Sequence, residues 1–156
     1  MSFDDWRALQ KLYNDYATSL DDGPLENWPL LFTQECLYLV QPRDNYDEGL
    51  PVAGIRCESR AMLQDRVTAV NETIMYEPRY LRHLVTNIEA QDCTLDEFPV
   101  AANYSVIEVL PDELPKVLSV GRYIDKVVRE DGVLRFRQKL VIYDSVLVPN
   151  SLIYPL

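Results

Sequence analysis

The sequence contains one histidine, His83, and three cysteines, so residues that bind metals or form cross-links are scarce. Cys36, Cys57 and Cys93 are an odd number of widely spaced residues without a Cys-x-x-Cys pair. This pattern argues against both a disulfide framework and a structural zinc site. We therefore expect reduced, buried thiols and a fold that forms without cross-links.

Glycine is also scarce, at 5 residues, and the 10 prolines are scattered, so no low-complexity segment is indicated. No apolar run approaches the roughly 18 residues that a membrane-spanning helix requires. The first five residues, Met-Ser-Phe-Asp-Asp, are acidic where a secretory or transit peptide would be basic. These absences predict a cytoplasmic protein without membrane contact.

Basic residues are outnumbered, and the formal net charge is −10. Such a charge repels phosphate backbones, which argues against nucleic-acid binding. Acidic residues are in excess in Met1–Arg60, whereas basic residues are in excess in Lys116–Asp144. This asymmetry permits head-to-tail packing against a surface of opposite sign, although a solvated face explains it equally well.

A chain of 156 residues is long enough for one self-sufficient core, so we expect a single domain over residues 1–156. Three helices are predicted. The first begins at a capping box, Ser2 to Asp5, and one face of it repeats the residues Trp6, Leu9, Tyr13, Tyr16, Ala17 and Leu20. The second covers Leu25–Phe32, where Pro29 predicts distortion or 3₁₀ geometry. The third begins at Ser59, and its apolar face comprises Leu63, Val67, Val70 and Ile74.

Strands occupy most of the remaining sequence. Apolar runs predict two short strands, Cys36–Val40 and Ala53–Cys57. Gln41-Pro42 ends the first strand, and an irregular loop follows through Gly49. That loop lacks the glycine and glutamate offsets of an EF-hand, which argues against calcium binding.

A longer strand is expected after the Glu77-Pro78 break, through Ile88. Alternation of period two then predicts three strands: Val100–Val109, Lys116–Arg129 and Leu134–Asp144.

The last two strands should form a hairpin, because Asp131-Gly132 is typical of a type I′ turn. In the final strand, Arg135, Arg137 and Lys139 alternate with Leu134, Phe136 and Gln138, which predicts one basic face and one largely apolar face. The order of elements indicates an α+β fold with helices packed on one face of a curved antiparallel sheet. The apolar tail, Val146–Leu156, should be buried on its own sheet or in a neighbouring subunit.

The architecture resembles the cone-shaped nuclear transport factor 2-like (NTF2-like, cystatin-like) superfamily, and local motifs narrow the resemblance to one family. The chain is similar over nearly its whole length to the small (β) subunits of aromatic-ring-hydroxylating oxygenases, and most similar to the salicylate 5-hydroxylase, anthranilate dioxygenase and benzoate dioxygenase branch. The motifs are Trp28-x-x-Leu31-Phe32, Tyr38, Asp65-Arg66-Val67, Arg82-His83-Leu84-Val85-Thr86-Asn87-Ile88, Gly121-Arg122-Tyr123 and Asn150-Ser151-Leu152.

The resemblance implies a non-catalytic, structural subunit of a terminal oxygenase that acts on an aromatic acid by mono- or dioxygenation. In this family the large (α) subunit carries a Rieske [2Fe-2S] cluster and a mononuclear non-haem iron. The small subunits form a trimer within an α3β3 hexamer, which a reductase and in some systems a ferredoxin supply with electrons. No cofactor is expected in this chain.

The residues agree with that expectation. A Rieske centre requires two cysteines and two histidines, and a facial-triad iron requires two histidines and a carboxylate. With His83 alone, the chain can build neither site by itself.

The candidate interface residues are the cationic group at the start of the long strand, one further arginine and the tail: Arg79, Arg82, His83, Arg122, Asn150, Ser151, Leu152 and Ile153. The arginines could bind carboxylates of a partner chain, since a guanidinium matches a carboxylate with two hydrogen bonds. They could equally form ion pairs within the subunit. His83 could be a general base, an interface residue or a structural histidine.

The competing hypothesis is a stand-alone isomerase or dehydratase that uses a pocket enclosed by the same fold. Such chemistry pairs a carboxylate base with tyrosine donors opposite a developing oxyanion. The residues of those types are Tyr16, Tyr38, Tyr104, Tyr123 and Asp125. Tyrosines at these periods also occur simply as core residues with a satisfied hydroxyl. A homo-oligomeric ligand-binding module is a third possibility.

Overall fold

The computed structural model describes residues 1–73, 78–91, 97–145 and 154–156. Helix α1 spans Phe3–Asp21, and the predicted capping box is present: the Asp5 N–H donates to Ser2 Oγ (3.1 Å) and the Ser2 N–H donates to Asp5 Oδ2 (3.2 Å). Its buried face comprises Leu9, Leu12, Tyr13, Tyr16, Ser19 and Leu20.

The second predicted helix is a 3₁₀ helix, Leu25–Leu31, with Pro29 inside it, as the position of that proline indicated. Helix α3, Arg60–Thr73, begins with the Met62 N–H donating to Ser59 Oγ (3.3 Å), so the predicted cap is confirmed. Leu63, Val67 and Val70 are buried as expected. Ile74 lies outside the described residues.

Six strands form one sheet in the order β2-β1-β6-β5-β4-β3. Their bounds are β1 Phe32–Pro42, β2 Ile55–Cys57, β3 Tyr80–Ala90, β4 Glu97–Val109, β5 Lys116–Glu130 and β6 Val133–Tyr143. Both residues of the β5–β6 turn, Asp131 and Gly132, have positive φ, which confirms the type I′ hairpin.

Two sequence expectations about these elements are wrong. Residues Arg43–Asp47 form a short helix, α2, where a loop was expected. Strand β1 pairs with β6 in parallel, so the sheet is mixed and not wholly antiparallel. The parallel pairing is possible because α2, β2, α3 and the β3–β5 meander all lie between these strands in sequence and provide the long crossover that it requires.

Helix α1, the 3₁₀ helix and helix α3 contact the inner face of the sheet, and the core lies between these helices and the sheet. Aromatic rings fill much of this core with edge-to-face contacts, including Trp28 against Tyr38 (centroids 5.2 Å apart) and Tyr13 against Phe136 (5.4 Å). Trp6 is 37% exposed, so it lies outside the buried face of α1 that its spacing predicted.

Candidate functional site

A buried ion pair lies inside the sheet between β5 and β6. Lys139 Nζ is 2.8 Å from Asp125 Oδ2, and neither side chain is exposed to solvent. The hydroxyl of Tyr13, from α1, donates to the same carboxylate oxygen (2.5 Å). Asp125 and Lys139 are direct partners across the β5–β6 ladder, so the sheet register brings the two charges together. We call Tyr13, Asp125 and Lys139 the interior cluster.

Lys139 is inside the core because β6 contains a bulge at Arg137. Lys126 pairs with Gln138 but Val127 pairs with Phe136, so Arg137 is the extra residue. One extra residue reverses the alternation of inward and outward side chains beyond it. The predicted basic face of Arg135, Arg137 and Lys139 is therefore wrong, since Lys139 points to the opposite side from the two arginines.

Four aromatic rings surround the Lys139 ammonium group. Its Nζ lies 3.5 Å from the ring centroid of Tyr123 and 4.4 to 4.8 Å from those of Tyr13, Tyr16 and Phe136. Burial lowers the pKa of Lys139 to about 8, because desolvation disfavours the cation more than Asp125 stabilises it. Burial likewise raises the pKa of Asp125, despite the opposing effects of Lys139 and Tyr13. The ring faces provide a further attraction for the cation.

Two other interior tyrosines bind the main chain of Leu156. The Tyr16 hydroxyl donates to Leu156 O (2.5 Å), and Tyr38 Oη lies 3.2 Å from the same oxygen and 2.9 Å from the Leu156 nitrogen. Leu156 is 1% exposed and packs in the hydrophobic core.

Tyr104 and Tyr123, two further interior tyrosines, stack with ring centroids 4.5 Å apart, and the Tyr104 hydroxyl lies 2.9 Å from Ser119 Oγ. Burial raises the pKa of each of the tyrosines at positions 13, 16, 38, 104 and 123.

The fold thus brings together the residues of the isomerase hypothesis: Tyr16, Tyr38, Tyr104, Tyr123 and Asp125. In such an enzyme Asp125 would be the general base, but here its carboxylate is paired with Lys139. The hydroxyls of Tyr16 and Tyr38, which would stabilise an oxyanion, are hydrogen-bonded to Leu156. The arrangement contains groups suited to acid–base chemistry, but the chain's own residues engage most of them.

His83, at the start of β3, forms a tight pair with Asp21 at the end of α1. Its Nδ1 lies 2.6 Å from Asp21 Oδ1, and its backbone N–H donates to Asp21 Oδ2 (2.8 Å). The ring is fully buried. The Asp21 carboxylate thereby satisfies one backbone donor on the open edge of β3 and joins α1 to the sheet.

The three candidate arginines also make ion pairs within the chain. Arg79 pairs with the buried Glu108, Arg82 Nη1 with Asp22 Oδ1 (2.8 Å), and Arg122 Nη2 with Asp47 Oδ1 (3.4 Å). Arg122 also lies over the ring of Tyr46.

Arg79 is largely buried, whereas 51% of the Arg82 side chain and 37% of the Arg122 side chain are exposed. The structure therefore shows that these arginines form ion pairs within the subunit, which was one of the two alternatives. Their role in an interface stays a prediction. The remaining candidates, Asn150, Ser151, Leu152 and Ile153, lie outside the described residues.

Sequence reasoning missed Asp21 and Glu108 as partners and Lys139 as an interior residue. The predicted burial of the apolar tail is confirmed at Leu156, which packs in the core of its own subunit. An inward-facing Glu108 was visible in the alternation of β4, where it follows Val100, Ala102, Tyr104 and Val106. Asp21 and Lys139 depend on a contact between distant segments and on a bulge, for which the sequence carries no local signal.

The chain does not contain the residues for the redox centres that its resemblance implies for the complex. It has one histidine, and that ring is bound to Asp21. Cys36 and Cys57 are free, buried thiols, and burial raises the pKa of Cys36 to about 11. Within the described ranges, no group of three or more His, Cys, Asp or Glu side chains is placed to hold a metal ion. Cys93 lies outside those ranges.

A match to one protein family decides the assignment of this chain: the ring hydroxylating beta subunit family matches residues 16–150. The chain belongs to that family. This small subunit is 34% identical over 151 residues to the anthranilate 1,2-dioxygenase small subunit of Burkholderia cepacia, with 97% of this chain and 94% of that protein covered. It is 32% identical to the terephthalate 1,2-dioxygenase terminal oxygenase component subunit beta 2 of Comamonas sp, with 90% and 92% covered.

Solved structures give the same fold. A beta subunit of a provisionally assigned aromatic-ring-hydroxylating dioxygenase from Novosphingobium aromaticivorans superposes with a TM-score of 0.85 at 32% identity, covering 95% of this chain and 94% of that one. The benzoate 1,2-dioxygenase beta subunit of Burkholderia mallei gives 0.77 at 14% identity, covering 99% and 98%. These likenesses confirm the α+β, NTF2-like fold and do not favour the stand-alone isomerase or dehydratase.

A provisionally assigned scytalone dehydratase from N. aromaticivorans shares the fold with a TM-score of 0.71 at 19% identity, covering 95% of this chain and 93% of that one. Among the described residues, no helix is long and apolar enough to cross a membrane.

Proposed function

We propose that the whole chain, residues 1–156, acts in the cytoplasm as a single-domain, non-catalytic structural subunit of a terminal oxygenase. It supports a catalytic large subunit, and three copies of each chain form an α3β3 hexamer. The family match over residues 16–150, together with curated relatives described as small subunits of dioxygenases, is the observation that carries this proposal.

The redox centres belong to the large subunit in this proposal. A Rieske [2Fe-2S] cluster and a mononuclear iron need more histidines than this chain possesses. A reductase, and in some systems a ferredoxin, supplies the electrons. The role of this chain is to hold the large subunits in a stable arrangement.

The substrate of the complex is an aromatic acid of the salicylate, anthranilate or benzoate type. Anthranilate and terephthalate, the compounds named in two of the curated relatives, are both aromatic carboxylic acids. The similarity extends over at least 90% of this chain in both cases, which supports a partner from the same group of oxygenases.

The start of β3 is the proposed contact region for a partner subunit. The Asp21–His83 pair fixes the strand against α1, and the neighbouring Arg82 keeps half of its side chain exposed. Arg122 is half-buried, with 37% of its side chain exposed, and a guanidinium can bind a partner's carboxylate. Residues Asn150, Ser151, Leu152 and Ile153 complete the proposed interface.

Charge reversal at Arg82 tests this interface. We expect Arg82→Glu to lower the amount of large subunit that co-purifies with the tagged chain by roughly tenfold, because an interface cation becomes a repelling anion. Arg56→Glu is the matched control, since Arg56 is similarly exposed (49%), pairs with Glu58 and lies at the opposite edge of the sheet.

The experiment co-expresses the tagged chain with the oxygenase large subunit encoded beside it and measures their ratio after affinity purification. Equal recovery of the large subunit with the Arg82 and Arg56 variants would remove β3 from the interface. Failure of the wild-type chain to retain any large subunit would remove the assembly role itself.

A further inference from the structure

Leu156 is held in the core as a ligand would be, by polar contacts to its main chain and apolar contacts to its side chain. Two phenolic hydroxyls, from Tyr16 and Tyr38, lie within hydrogen-bond distance of one oxygen, and Tyr38 Oη also accepts from the Leu156 N–H. Tyr16 and Tyr38 are both fully buried. Two convergent hydroxyl donors on one acyl oxygen are typical of carbonyl and carboxylate recognition.

The elements that form this site are rigid and distant in sequence from its occupant. Tyr16 lies on α1 and Tyr38 on the central part of β1, and the contacts to Leu156 span 140 and 118 residues. Trp28 and Phe32 pack edge-to-face against Tyr38, which fixes its ring. The site is therefore formed by the fold, and residues 154–156 are its occupant.

The occupant also lies between the interior and the protein surface. Tyr154, which is half-buried, lines a cavity of about 600 Å³ together with residues that include Leu20, Asp21 and Leu81. The segment therefore extends from the buried Leu156 to the edge of that cavity at Tyr154.

Two buried polar groups of the interior are available to a ligand. The Tyr123 hydroxyl and His83 Nε2 are buried, and neither has a hydrogen-bond partner among the described residues. Buried polar atoms almost always have a partner, so two such atoms indicate capacity for a bound polar molecule.

We propose that Tyr16 and Tyr38 form a binding site for an acyl oxygen attached to a short apolar group, and that the chain's own segment Tyr154–Leu156 is its resident ligand. Without that segment, the site takes a small hydrophobic carboxylic acid or the equivalent peptide. This proposal is independent of the assembly role, because it concerns the interior of the subunit and not its contacts with a partner.

The test uses a variant of the chain that ends at residue 153. Three probes are titrated into it and into the full chain by calorimetry: acetyl-Tyr-Pro-Leu, its C-terminal amide, and 4-methylpentanoate, which joins the carbon skeleton of a leucine side chain to a carboxylate. We expect the variant to melt roughly 5 °C or more below the full chain, because a buried leucine and its hydrogen bonds are lost.

The tripeptide should bind the shortened variant saturably and restore its melting temperature, while the full chain binds none of the probes. Binding of the acid but not the amide indicates carboxylate recognition, and equal binding of both indicates carbonyl recognition; both results support the site. Adding Tyr38→Phe to the shortened variant should weaken peptide binding about tenfold, the usual effect of a lost hydrogen bond.

An unchanged melting temperature with no binding of any probe, or equal binding by the full chain, would overturn the proposal. A shortened variant that is unfolded alone should fold when the peptide is added, and failure to do so counts against the site. Leu156→Ala in the full chain provides a second measurement, because it opens only the apolar part of the site. Isobutanol should raise the melting temperature of that variant and not of the wild type, and no difference between them would also contradict the proposal.

Discussion

The ammonium group of Lys139 lies in the core, bound to Asp125 and surrounded by four aromatic rings. A buried ion pair of this kind contributes little net stability, because desolvation opposes the attraction, but loss of one partner leaves an uncompensated charge. We therefore expect the pair to act mainly as a constraint on the register in which β5 pairs with β6.

Removal of one partner should be more damaging than removal of both. We expect Lys139→Met to lower the free energy of unfolding by about 3–5 kcal/mol, since Asp125 would be left buried without a cation. Adding Asp125→Asn to that variant should recover much of the loss. Urea unfolding of the wild type, both single variants and the double variant measures the coupling.

Lys11→Met is the matched control for these substitutions, because Lys11 pairs with Asp15 in solvent and should cost less than about 1 kcal/mol. A double variant no more stable than Lys139→Met would show that the ion pair does not couple the two strands.

The depressed pKa of Lys139 predicts how stability changes with pH. The folded state releases the Lys139 proton near pH 8, whereas the unfolded state retains it up to the ordinary value of 10.5. Between these values the unfolded state binds more protons, so this residue makes the free energy of unfolding rise with pH. We expect a contribution on the order of 2 kcal/mol between pH 8 and pH 10.

That contribution is measured as the difference in the free energy of unfolding between the wild type and Lys139→Met at each pH. The buried tyrosines and thiols, whose raised pKa values make stability fall with pH, are present in both proteins, so their effect cancels in the difference. A difference that stays constant from pH 8 to pH 10 would show that Lys139 titrates normally in the folded state.

The strands show which features of the fold a sequence can predict and which it cannot. Period-two alternation predicted β4, β5 and β6 to within a few residues, because each strand has one buried face. Asp131-Gly132 predicted the hairpin between β5 and β6, because only a few residue types tolerate positive φ. The bulge at Arg137 has no such local signal, and it decides that Lys139 lies in the core.

The candidate site was predictable in part for the same reason. The tyrosines of the interior follow the helical and strand periods, so their burial was expected. The Asp21–His83 contact joins residues 62 positions apart, and only the packing of α1 against β3 brings them together. The parallel β1–β6 pairing is likewise a property of the tertiary fold and not of either strand.

Gly121 in β5 is the position where the close approach of two strands requires glycine. A Cβ at this residue would lie 1.9 Å from the backbone oxygen of Ile142 in β6. Because a backbone atom of a central strand cannot move aside cheaply, Gly121→Ala should cost at least the roughly 1–3 kcal/mol typical of an overpacked core. Thermal unfolding measures the loss.

Gly54→Ala is the control for that substitution, since its Cβ would meet Val40 O at an ordinary contact distance of 3.7 Å. Equal melting temperatures for the two alanine variants would show that the β5–β6 separation at Gly121 is not as close as described.

For the subunit as a whole, the fold and the family match both support a structural role. The interior that could have served chemistry is occupied by Lys139 and Leu156, and one histidine cannot form the redox centres of an oxygenase. Arg82, at the start of β3, keeps half of its side chain exposed on an acidic protein. A role in assembly accounts for these observations together.

The most direct test is native mass spectrometry of the complex retained by an affinity tag on this chain, co-expressed with an oxygenase large subunit from the same organism. The predicted result is a hexamer with equal numbers of large and small subunits, whose iron remains with the large subunit when the complex is dissociated. A tagged chain found only as a monomer or homo-oligomer, without the large subunit, would contradict the structural role proposed for it.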